Sequence, residues 1–115
     1  MDTIPSRDEL LKLVAREVSA DKLRDAVVYV YRKLLRPGDT HYLGRINITV
    51  SSTSALLFID LIPMANWSHD CLYILFNGNE TSTIPASFPP DRENLLLLQK
   101  PDKLESWVLL SEQPY

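Results

Sequence analysis

Between Ser6 and Val18 the apolar residues Leu10, Leu11, Val14 and Val18 recur at the spacing of one helical face. The segment Ser6-Arg7-Asp8-Glu9 just ahead is an S-x-x-E capping box. In that motif the serine hydroxyl accepts from the third amide and the glutamate reaches back. Pro5 disfavours an earlier start. A helix over 7–18 is predicted. Ser19 is a candidate second cap, and Leu23, Ala26, Val27, Val30, Tyr31 and Leu34 follow at i, i+3, i+4 spacing. Arg32, Lys33 and Arg36 suit the negative end of a helix dipole, and Pro37-Gly38 stops the run. This predicts a second helix over 20–35, or a continuation of the first after a kink. Val27-Val28-Tyr29-Val30-Tyr31 also suits a strand, but its flanks and period favour helix.

After Pro37-Gly38-Asp39 the period shortens to two. Tyr42, Gly44, Ile46, Ile48 and Val50 alternate with Leu43, Arg45, Asn47 and Thr49, as in a half-buried strand. Ala55–Ile62 reads as a second strand, ended by Pro63, and Cys71–Phe76 as a third. Asn77-Gly78 is a strong hairpin signal, so Glu80–Ile84 is a short fourth strand. Residues 85–92 hold three prolines and predict an extended loop. Leu95–Leu98 and Leu104–Leu110 are further strands, although Asp102 to Glu105 is also a D-x-x-E cap that would suit a helix.

Helices followed by strands that succeed one another on short loops predict an α+β domain. Two N-terminal helices would pack on one face of a curled antiparallel meander of about five or six strands. A single domain over 1–115 is expected, helical over 6–36 and sheet over 41–111. The element order resembles the cystatin-like and nuclear-transport-factor-like folds, which implies a curled sheet able to enclose a cavity around Asp60. A fold likeness of this kind carries no function.

A sheet with one wet face alternates apolar and polar residues. Leu56, Leu57, Phe58 and Ile59 do not, nor do Leu72 to Phe76 or Leu95 to Leu98. From Ile46 to Phe76 the only Asp, Glu, Lys or Arg residues are Asp60 and Asp70. Two short helices cover one face, so the other needs a cover: the curled chain itself, a second copy, or a partner. Asp60, on the same face as Leu56, Phe58 and Ile62, would need a partner such as Arg45 if buried.

Composition adds limits. The net charge of −3 argues against nucleic acid. It is uneven: residues 1–36 hold eight Lys/Arg and six Asp/Glu, and residues 37–115 hold four and nine. Trp67, Tyr73 and Phe76 are not interleaved with cations, unlike a base-stacking surface. No apolar run is long enough to span a bilayer, and the polar start Met1-Asp2-Thr3 is unlike a signal peptide. Cys71 is the sole cysteine, which points to a reducing, cytoplasmic setting. Asn47, Asn66 and Asn79 open N-x-[ST] sequons, which carry no consequence without a leader.

His69-Asp70-Cys71 suggests a nucleophile with its base, but neighbours on a strand point to opposite faces. No metal-ligand spacing or phosphate loop occurs. The reading is a cytoplasmic, non-enzymatic protein–protein interaction module without cofactor or metal. Its partner would be another protein or a second copy in a homodimer, with no membrane or nucleic acid involved. The partner surface would be the apolar second face, through Phe58, Asp60, Trp67, Tyr73, Ile74, Phe76 and Phe88. The alternative is a small-molecule or enzymatic pocket using Asp60, Tyr73 or His69.

Overall fold

The structure, a computed structural model, describes all 115 residues. Helix α1 spans Arg7–Glu17, and Ser6 caps it by accepting from the Glu9 amide. A single turn, α2, spans Ala20–Leu23 behind Ser19, which accepts from the Lys22 amide. Seven strands follow: β1 Val27–Tyr31, β2 His41–Leu43, β3 Ile46–Ile48, β4 Ala55–Asp60, β5 Cys71–Phe76, β6 Thr81–Ala86 and β7 Leu95–Gln99. Five form an open antiparallel sheet in the order β6-β5-β4-β1-β7, and β2 pairs with β3 in a separate hairpin.

The architecture is α+β as expected, with one substantial helix rather than two. The second expected helix, 20–35, is corrected: its centre is β1, which lies between β4 and β7. All five β1 residues are buried. A strand buried on both faces shows no two-residue period, and its apolar run also satisfies a helical template. The Val/Tyr composition is the feature that favours strand. The sheet is therefore not a simple meander, because β7 joins β1 at the far edge from β6.

Two further expectations change. Residues 42–50 are not one strand: Gly44 and Arg45, at φ 55° and 64°, make a two-residue turn between β2 and β3. Paired positive φ values are the signature of the hairpin turn whose twist matches its strands. Residues 104–110 do not form a strand; they carry a 3-10 turn at Ser106–Val108 within irregular chain.

On one sheet face, Val28, Val30, Leu57, Ile59, Ile74 and Leu98 pack against Leu10, Leu13, Val14 and Val18. Arg7 ties the helix to β7 by donating to the Leu98 carbonyl at 2.8 Å. The other face carries Val27, Tyr29, Tyr31, Leu56, Phe58 and Tyr73. Its cover is the chain itself: Leu43 and Ile48 of the hairpin, Trp67, and Leu104, Leu109 and Leu110. The sheet lies between a helix and a layer of hairpin and coil.

Three tyrosines pin that irregular layer. The Leu110 amide donates to the Tyr29 hydroxyl at 2.9 Å. Tyr31 donates to Asp91 at 2.7 Å, and Tyr73 donates to the Phe88 carbonyl at 2.7 Å. Burial pushes the Tyr29 hydroxyl up to about 12 and moves those of Tyr31 and Tyr73 further in the same direction, so all three keep their protons. At the sheet's outer edges, Leu97 of β7 exchanges hydrogen bonds with residues 113 and 115, and β6 carries Pro85.

The hairpin approaches so closely that a Cβ on Gly44 would lie 2.0 Å from the Tyr73 hydroxyl oxygen and 2.5 Å from the Phe88 carbonyl oxygen. Gly38, at φ 86°, has nothing within 4 Å of the same position. Gly44→Ala should therefore cost roughly 2–4 kcal/mol, combining left-handed strain with overpacking. Gly38→Ala should cost only the backbone part, about 1–2 kcal/mol. Urea unfolding of both variants checks this; equal losses would mean that the hairpin contact is looser than described.

Candidate functional site

β4 ends in Asp60, which faces the coil layer and is 1% exposed. Its partner is not Arg45, which instead lies 3.6 Å over the Phe88 ring. The partner is His69, from the loop joining β4 to β5. His69 Nε2 and Asp60 Oδ1 are 2.7 Å apart, and both side chains are almost wholly buried. The same carboxylate oxygen accepts from the Ile62 amide at 3.2 Å. The other ring nitrogen, Nδ1, lies 2.9 Å from the Asn66 carbonyl oxygen. Trp67 stacks on the imidazole with centroids 3.9 Å apart.

This geometry fixes the proton at Nδ1. Nδ1 faces a carbonyl, so it must donate. The Oδ1–Nε2 line needs one proton, held either by the ring or by the acid. Burial drives the Asp60 carboxyl above its usual range, outweighing the hydrogen bond and charge of His69 and the Ile62 amide. With both ring nitrogens engaged, His69 has no free lone pair to serve a substrate. Cys71, opposite Asp60 on β5, is buried, and burial with Asp60 and Asp70 nearby pushes its thiol up to about 12. A thiol held in that form is a poor nucleophile. The pair acts as a clasp closing the 61–70 loop onto the end of β4.

Outside the clasp lie three of the chain's four exposed large hydrophobic side chains. Trp107 is 73% exposed, Met64 62% and Ile62 44%. Two grooves run there and share Pro63 and Met64. One, of about 400 Å³, lies between the 61–64 segment and Pro101, Lys103 and Leu104, with Asp25 at its side. The other, of about 320 Å³, is lined by both tryptophans of the chain, Trp67 and Trp107, with Met64, Val108 and Arg92. Trp67 thus has His69 against its ring while also lining the groove. Asp60 lines neither groove. Arg92 secures the groove's other wall, its guanidinium donating to the Leu110 and Leu109 carbonyls at 3.3 and 3.4 Å.

The seven residues expected to form a partner surface do not share one. Phe58, Asp60, Tyr73 and Ile74 are buried, and Ile74 faces the helix with the half-buried Phe76 beside it. Phe88 is half-buried beneath Arg45. Trp67 alone reaches the groove. Met64, Arg92 and Trp107 were not singled out by sequence. An apolar residue at 107 in a chain segment without period was their only signal.

No group of three or more His, Cys, Asp or Glu side chains could hold a metal ion, and no helix is long and apolar enough to cross a membrane. Set against known protein families, curated proteins and solved structures, the chain matches none.

The buried Asp60 and the half-buried Asp91 titrate with opposite sign. Asp60, raised, gives stability that is fully present below about pH 4 and lost as pH rises through its folded value. Burial opposes ionisation of Asp91 too, but hydrogen bonds with Tyr31 and Asn94 outweigh it and hold that carboxyl low. Its stability is present above about pH 4 and lost as pH falls through the folded value. Melting temperatures across pH 2–8 should show Asp60→Asn removing the decline above pH 4, because an asparagine amide can donate to a neutral ring. Asp91→Asn should remove part of the decline on the acid side. Parallel profiles for wild type and Asp60→Asn would refute the raised Asp60 carboxyl.

Proposed function

We propose that this chain is a small non-enzymatic interaction module. It binds another protein, or a second copy of itself, through the groove of Trp67 and Trp107 and the apolar surface continuing over Met64 and Ile62. The observation that carries the reading is that both tryptophans of the chain line one groove, with Trp107 73% exposed. The core does not need the exposed side chains of Trp107, Met64 and Ile62, none of which packs against it. Contiguous exposed apolar surface commonly marks an interaction site, and tryptophan is enriched among residues that dominate binding energy.

The interaction therefore moves from the sheet's second face to the outer surface of the layer that covers it. A non-enzymatic role is supported by the engaged His69 ring and the un-ionised Cys71. A cytoplasmic setting suits a free buried thiol.

The test compares wild type, Trp107→Ala and a control, Tyr42→Ala, at an equally exposed site on the hairpin. All three should melt within about 0.5 kcal/mol of one another, as surface changes do. Immobilised in extract of the native source, Trp107→Ala should lose about tenfold of a protein that the other two retain, as expected for loss of a central anchor. If the partner is a second copy, light scattering should show a dimer that Trp107→Ala abolishes. Identical eluates and identical masses for all three would end this reading.

A further inference from the structure

The two grooves differ in charge. The one beside Leu104 contains Asp25 and Lys103, so it carries both signs. The tryptophan groove contains one charged residue, Arg92, and no acid. The chain's one ion pair to a Lys or Arg is Arg24–Asp21, so no carboxylate sits on Arg92. The guanidinium is nevertheless oriented. Nε and Nη2 are turned to the Leu110 and Leu109 carbonyls, which leaves donors on an exposed residue at the groove wall. A guanidinium held this way suits a carboxylate.

Size narrows the class further. A groove of about 320 Å³ is at the small end of ligand pockets, which run to about 1,000 Å³. It has room for one or two side chains. A docked helix needs a row of anchors at i, i+3 or i+4, and i+7. Resting on the interaction reading above, we infer that the groove takes a short extended segment of a partner protein in which an apolar or aromatic side chain adjoins an acidic one. The apolar group sits against Trp67, Trp107 and Met64, and the carboxylate sits on Arg92.

The test uses an array of N-acetylated octapeptides with a central Leu, Phe or Trp flanked by Glu, Gln or Lys, the other positions mixed. Wild type should retain Glu-flanked peptides at least fivefold over Lys-flanked ones. Raising NaCl from 0.05 to 0.5 M should weaken the Glu set and leave the Gln set unchanged. Arg92→Gln should bring the three sets to parity, and Arg92→Lys should keep part of the preference. Trp107→Ala should lose all sets.

Because Arg92 also holds the 109–110 backbone, the salt series on wild type stands as a readout without any substitution. Retention without acid preference or salt dependence overturns the carboxylate assignment and leaves the interaction reading standing if Trp107→Ala still abolishes it. No retention of any peptide, while Trp107 still governs capture of a folded partner or a second copy, overturns the extended segment. Equal retention by wild type and Trp107→Ala overturns the assignment to this groove.

Discussion

The fold rests on one constraint: a central sheet whose inner strands are apolar on both faces. β1 and β4 are buried along their whole length, so water must be excluded from two sides. The chain supplies a single substantial helix, which covers one side. The other falls to a hairpin, the 61–70 loop and the 104–110 segment. Such segments bring few repeating backbone hydrogen bonds of their own. They are fixed instead by polar ends of side chains rooted in or beside the sheet. Tyr31 and Tyr73 reach the 85–92 loop and Tyr29 reaches Leu110, Asp60 holds His69, and Arg92 holds the carbonyls at 109 and 110.

This arrangement explains why an apolar second face could be read from sequence while its cover could not. Alternation, or its failure, is a local pattern. Coverage depends on pairs such as Tyr29 with Leu110 and Tyr73 with Phe88, which no period announces. Local signals with their own chemistry survived: the Ser6–Glu9 cap, the Asn77-Gly78 hairpin, and the strands at β4, β5 and β7. β1 did not, because burial on both faces erases the period that separates strand from helix. The turn at Gly44-Arg45 was hidden because arginine is an unusual occupant of a left-handed position.

The candidate site follows the same rule. Asp60 stood out in the sequence as a charge among apolar neighbours, and it is indeed buried and paired. Its partner comes from a loop nine residues on rather than from the neighbouring hairpin. Trp67 and Trp107 are forty positions apart and meet only because two irregular segments are pinned side by side. The groove is thus a by-product of covering the sheet without helices.

The sheet's outer margins have a consequence of their own. An open five-stranded sheet has two borders where unsatisfied amides and carbonyls can recruit strands from other molecules. At β7 that border is occupied by residues 113–115, in parallel register at Leu97 and Pro114. At β6 the border includes Pro85, which has no amide hydrogen to offer. Both borders therefore offer fewer open backbone positions to a strand from another molecule.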